Sequence, residues 1–181
     1  MRDLSLHVLD LMENSIRAGA SVISVTVRQD SARNRLRIVV ADNGPGLAVP
    51  AKVATDPFFT TKRGKRTGLG LSLFAAAAER ASGKLALRKS RLGGLSVEAT
   101  MQLDHVDRAP LGDLATTLAT VAAANPRLEI RCLLSAGKRR REVRFSRGNR
   151  AFSASGPDGL SRAGALADAV RKGIAQAGVL C

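Results

Sequence analysis

At 181 residues and 45% hydrophobic, the chain can bury a substantial core and is too apolar to be intrinsically disordered. That core must be aliphatic, because there is no Trp or Tyr and only five Phe. The net charge of +14 is spread evenly, with 16 Lys and Arg against 9 Asp and Glu in residues 1–104 and 13 against 6 in residues 105–181; it favours anionic partners (nucleotides, nucleic acid, an acidic protein or an anionic membrane surface), while the scarcity of aromatics argues against a stacking platform for single strands.

The apolar spacing of residues 3–18 predicts a helix with Val8, Leu11, Met12 and Ser15 on its buried side, ended by Ala18-Gly19-Ala20. VISVTVRQ (22–29) and RLRIVVAD (35–42) read as strands joined by a polar turn, and NGPG (43–46) breaks the chain sharply. A loop rich in Thr, Lys, Arg and Gly runs from about 56 to 67, followed by a helix over 70–82 with Gly83 as C-cap. Strands follow at 84–90 and 95–103, joined by a Gly93-Gly94 turn. DHVDRAP (104–110) reads as a boundary, giving domains 1–104 and 105–181. The second reads as a small α-β-β-α appendage: a helix over 111–124, strands at 128–135 and 141–146, and a last helix over 160–177. KRRR (138–141) reads as a solvated hairpin edge.

Asp3, Asp10 and Glu13 interrupt any early apolar run, so no signal peptide is expected, and no run reaches the roughly 18 residues of a membrane span. Cys132 and Cys181 lack metal-ligand spacing, which favours a reducing, cytoplasmic setting.

Asp10, Asn14 and Arg17, spaced four and three residues apart, share one face of the first helix. Asp42 ends an apolar strand, where a buried carboxylate needs donors, and an exocyclic amine such as adenine N6 is one. Gly44 and Gly46 let a flat base approach the backbone. Gly68 and Gly70 open a helix whose free N–H groups suit phosphate, and Lys62 with Arg63, Lys65 and Arg66 can meet a polyphosphate. Asn14 offers a neutral oxygen to Mg²⁺, Arg17 can reach phosphate, and Asp10 can polarise a water or accept a proton.

Together ENSIRAGA (13–20), DNGPGL (42–47), PFFTTK (57–62) and TGLGLSL (67–73) resemble the N, G1, F and G2 boxes of the GHKL superfamily of topoisomerase, chaperone, sensor-kinase and mismatch-repair ATPases. The resemblance covers about residues 4–103 and implies an α/β two-layer sandwich of helices on a mixed sheet (the Bergerat type) that binds Mg-ATP under a lid. It implies an ATP site of Asn14, Arg17, Asp42, Gly44, Gly46, Leu47, Lys62, Thr67, Gly68, Leu69, Gly70 and Leu71, with Asp10 as catalytic base and Asn14 as metal ligand. LHVLDLMENSIRAGA (6–20) and HVDRAPLGDLATTL (105–118) also resemble small stand-alone ATP-binding proteins of anaerobic bacteria, often encoded near iron-hydrogenase subunits. Three positions depart from the superfamily: Asp10 stands where Glu is usual, Arg66 replaces the first Gly of the G2 run, and Leu95 stands where a Thr is often found.

The expected function is therefore Mg-ATP binding by a regulatory kinase or slow ATPase acting in trans, because neither His7 nor His105 is placed like a phosphoacceptor. The alternatives are an ATP-gated binding module for a protein partner, without turnover, and a basic nucleic-acid-associated protein. A homodimer is a further expectation from the superfamily, although the chain carries no coiled-coil heptads.

Overall fold

The structure is a computed structural model and describes residues 3–47, 69–146 and 159–179. Among the described residues the order is α1 (Leu4–Arg17), β1 (Val22–Asp30), β2 (Arg35–Asp42), α2 (Leu69–Arg80), β3 (Lys84–Lys89), β4 (Leu95–Gln102), α3 (Leu114–Ala124), β5 (Glu129–Ala136), β6 (Arg139–Phe145) and α4 (Gly159–Ala177). Asp3 starts α1 by accepting the Leu6 N–H at 3.3 Å. The apolar period of that helix then buries Val8, Leu11, Met12 and Ser15, as its spacing predicts.

The six strands form one mixed sheet in the order β3-β4-β2-β1-β5-β6. Every neighbouring pair is antiparallel except β1 and β5, which run parallel with Val22–Gln29 beside Glu129–Ala136. Alternation sends Ile23, Val25, Leu36, Ile38, Val97, Ala99, Ile130 and Leu134 to the face that packs under the helices. The opposite face is mostly polar and basic, with Val22, Val39 and Leu133 half-buried among the polar side chains, and none of its described strand residues is buried. This is the two-layer α/β sandwich that the sequence leads one to expect.

Both strands of the 105–181 segment lie in this same sheet, and the junction near 104 falls in the turn after β4. Residues 110–111 return to the first turn of α1, where the Pro110 and Leu111 carbonyls accept the Leu4 and Ser5 N–H groups at 2.9 and 2.8 Å. The next helix begins at Leu114 rather than near 111, because Gly112 turns the chain at φ +74° and Asp113 caps α3 by accepting the Thr116 N–H at 2.9 Å. β6 begins at Arg139, so most of the KRRR run lies in the edge strand itself. Both edges carry basic side chains, which disfavour pairing with another sheet.

Burial pushes the Cys132 thiol up to about 12 and leaves it a core residue. Among the described residues no helix is long and apolar enough to cross a membrane.

His7 joins α1 to α2. It is 3% exposed and stacks on the fully buried Phe74 ring, with centroids 4.9 Å apart and planes at 13°. Its Nδ1 is buried without a partner, and burial pushes its pKa down to about 4.

Two outcomes follow from this packing. Leu134→Ala should cost about 2–5 kcal/mol in urea denaturation, in a single transition, because the shared sheet ties residues 105–181 to β1. The folded chain keeps His7 neutral down to pH about 4, whereas the unfolded chain takes up its proton near 6.5. Stability should therefore fall as pH drops from 6.5 towards 4. His7→Leu should flatten that fall between about pH 6.5 and 5 in thermal melts, and an unchanged slope would contradict the assignment.

Candidate functional site

Asp42 is the last residue of β2, where the burial alternation turns its side chain towards the helices, and it is 5% exposed. Its carboxylate collects donors from three directions. The Ser15 hydroxyl on α1 donates to Oδ2 at 2.7 Å, and the N–H groups of Gly44 and Leu95 donate to Oδ1 at 2.9 and 3.1 Å. A carboxylate offers roughly four lone-pair positions, so one on Oδ2 is left for a further donor. The Asp42 carbonyl also accepts the Gly94 N–H at 3.0 Å, tying the β3–β4 turn to the end of β2.

Glycines make this approach fit. A Cβ on Gly94 would overlap Asp42 Oδ1 and come within 2.6 Å of the Gly44 nitrogen. Gly46 adopts φ +80°, a left-handed conformation that an L side chain resists. Asn43 anchors the same turn: its Oδ1 accepts the Ser21 and Val22 N–H groups, both at 2.9 Å, and its Nδ2 donates to Ser21 Oγ at 2.9 Å. A cavity of about 340 Å³ lies beside the turn, lined in part by Pro45, Gly46, Leu47, Leu87, Gly94 and Leu95.

The second half of the site is the face shared by α1 and the start of α2. Asp10 and Asn14 are half-buried there, and Arg17 is exposed. A Cβ on Gly70 would overlap Asp10 Oδ2 and stand 3.6 Å from Asn14 Nδ2, so the absence of a side chain at Gly70 lets the first turn of α2 rest on Asp10. That turn holds N–H groups with no acceptor inside the helix. Arg17 donates to Asn14 Oδ1 at 2.6 Å and pairs with Glu13 at 3.5 Å, so the oxygen expected to meet Mg²⁺ is held by a guanidinium here. Among the described residues no group of three or more His, Cys, Asp and Glu side chains could hold a metal.

Of the residues singled out in the sequence, the structure thus gathers Asp42, Gly44, Gly46 and Leu47 at one turn and Asp10, Asn14, Arg17 and Gly70 at one helix face. Leu71 packs partly buried against the core, and Leu69 opens α2. Lys62, Thr67 and Gly68 lie outside the described residues, as do Phe58, Phe59, Arg63, Lys65 and Arg66. Ser15, Asn43 and Gly94 are site-forming residues that the motifs did not single out. Ser15 carried a signal, since a hydroxyl on the buried stripe of a helix needs an acceptor. A larger cavity of about 560 Å³ lies near Ile16, Ala124, Pro126 and Arg162, and among the described residues its lining has no carboxylate and none of the expected site residues.

Sensor protein kinase CarS of Pseudomonas aeruginosa is 33% identical over 114 residues, which are 59% of this chain and 24% of that protein. Sensor protein kinase FleS of the same organism is 44% identical over 57 residues, 30% of this chain and 14% of that one. The chain therefore spans a quarter or less of the curated relatives it matches. The crystal structure of the N-terminal domain of a DNA repair protein superposes with a TM-score of 0.55 at 15% identity, covering 88% of this chain and 59% of that one, and shares the fold. Residues 2–105, more than half of the chain, match the family of histidine kinase-, DNA gyrase B- and HSP90-like ATPases, and the chain belongs to that family.

Proposed function

We propose that the chain binds Mg-ATP between α1, the turn after β2 and the start of α2, and acts in trans as a regulatory kinase or slow ATPase. The observation that carries this reading is the buried Asp42 carboxylate, with three donors and one lone-pair position left at a glycine-lined turn. The exocyclic amine of adenine is a donor of the right kind for that position. The N–H groups that open α2 suit phosphate, and Arg17 lies one turn from Asn14 on the same face. Bound Mg²⁺ would supply neutralisation of phosphate charge, with Asn14 as its protein ligand once Arg17 swings from that oxygen to phosphate. Asp10 would take the proton of the group that attacks the γ-phosphorus, as the bond to the bridging oxygen breaks and ADP departs.

The acceptor is placed outside this chain because His7 is buried under Phe74 and His105 lies in the segment after β4. The resemblance to proteins encoded near iron-hydrogenase subunits supports a regulatory setting and a reducing, cytoplasmic one. We read residues 105–181 as a separate functional unit that presents a partner surface. The second reading, an ATP-gated module without turnover, draws on the packing of Asp10 against Gly70, which sets its carboxylate against the first turn of α2.

Incubation with Mg-ATP and chromatography of ADP tests this. The wild type should form ADP, and Asp10→Asn should lower the rate at least about a hundredfold. Gly70→Ala, whose Cβ overlaps the Asp10 carboxylate, should lower it as strongly. Equal rates in wild type and Asp10→Asn would remove Asp10 as the base. ATP binding with no ADP from any protein, with candidate acceptors present, would favour the gated module.

A further inference from the structure

The face of the sheet turned away from the helices has a regular charge pattern. The strand register places Arg88, Ser96, Ala41, Ser24, Arg131 and Arg144 in one row across all six strands. Four residues along each strand, a second row holds Lys84, Thr100, Arg37, Arg28, Ser135 and Arg140. These two rows carry seven cations and no carboxylate. Between them runs a third row with Glu98, Val39, Thr26, Leu133 and Glu142. At about 3.3 Å per residue the two basic rows stand about 13 Å apart, and each crosses about 24 Å of sheet.

The carboxylates on this face orient guanidinium groups without cancelling the rows. Glu98 holds Arg37 at 2.6 Å, Glu142 holds Arg144 at 2.7 Å and Glu129 holds Arg131 at 2.7 Å. Arg28 meets Asp30 only at 4.0 Å. Two like-charged pairs stand directly opposite one another, Arg28 with Arg37 and Arg131 with Arg144, a repulsion that the carboxylates beside Arg37, Arg131 and Arg144 offset in part and that an anion over the face would relieve further.

We infer that this open face is a docking platform for duplex DNA, its two basic rows meeting the phosphates on either side of one groove. The major groove of B-form DNA is about 12 Å wide, close to the spacing of the rows. Guanidinium groups on strands are preorganised for phosphate oxygens. The middle row, with its two glutamates, lies under the groove rather than under a phosphate strand. An extended acidic peptide is a single line of charge and could follow only one of the two rows at a time. A membrane surface would find only the half-buried Val22, Val39 and Leu133 here, because the exposed large apolar side chains among the described residues (Leu6, Leu47, Leu73 and Val106) all lie outside this face. The platform is on the opposite side of the sheet from Asp42 and is independent of the nucleotide reading.

The test is fluorescence anisotropy of the full chain with a labelled DNA duplex of about 20 bp over a salt series. Binding should weaken steeply with salt. Arg28→Gln with Arg131→Gln, one from each row, should weaken it at least about tenfold near 100 mM salt and lower the log–log slope by about 2. The melting temperature of that variant should change little, because each substitution relieves a like-charged pair while Arg131→Gln gives up the 2.7 Å pair with Glu129. Arg171→Gln with Lys172→Gln on α4 removes the same charge elsewhere and should leave the slope unchanged. An equal loss from that control pair would show net charge alone at work and overturn the proposal. So would an unchanged slope in the row variant, tighter binding to an RNA duplex, or binding to polyglutamate or phosphatidylserine vesicles without binding to DNA. Nucleotide affinity, measured in parallel on the same variants, separates a failure here from a failure of the ATP reading.

Discussion

A buried carboxylate at the end of a strand must find donors, and the way Asp42 finds them organises half of the molecule. Ser15 reaches it from the first helix, Gly44 from the turn that follows it, and Leu95 from the first residue of β4. Three elements far apart in sequence are thereby fixed at one point, and each donor removes part of the cost of burying the charge. The glycines around it follow from the same constraint, since a side chain at Gly94 would occupy the position of the carboxylate oxygen.

The first helix serves both faces of this arrangement. Its buried stripe supplies Leu4, Val8 and Met12 to the core and Ser15 to Asp42. Its adjoining face presents Asp10 and Asn14 to the start of α2, with Arg17 bonded to Asn14 one turn on. The stacking of His7 on Phe74 sets α2 against α1, and the close approach at Gly70 depends on that contact. The sheet divides in the same way: its helix side carries the apolar core and the candidate nucleotide site, while its open side carries ordered rows of arginine.

Much of this was legible in the sequence, for local reasons. The apolar, β-branched run of RLRIVVAD between a polar turn and NGPG marks β2 at its observed bounds, and the period of residues 3–18 marks α1 within a residue at each end. A strand-end Asp before NGPG is often only a turn residue, and Asp42 was legible because DNGPGL stands in order with three other boxes. What stayed hidden depends on contacts between distant residues. The buried hydroxyl of Ser15 signals the need for an acceptor, but nothing local names Asp42, 27 positions away, as that acceptor. Gly93-Gly94 reads as a hairpin turn, and only the fold shows that Gly94 lies against Asp42. The parallel pairing of β1 with β5 leaves no mark on either strand, so the 105–181 segment read as an appendage although its strands extend the sheet. The start of α3 was misplaced by three residues because Leu111 fits the apolar period while Gly112, at φ +74°, leaves it.

The most direct measurement is the equilibrium affinity of the full chain for Mg-ATP by titration calorimetry, with Asp42→Asn beside it and a thermal melt of both. The substitution keeps the shape of the side chain and replaces one acceptor oxygen with a donor, which cannot receive an amine proton. If Asp42 receives the base, the variant should stay folded, melt somewhat lower because one of its three donors loses an acceptor, and bind Mg-ATP at least about tenfold more weakly. A folded variant that binds as tightly as the wild type would place the nucleotide elsewhere and contradict the assignment.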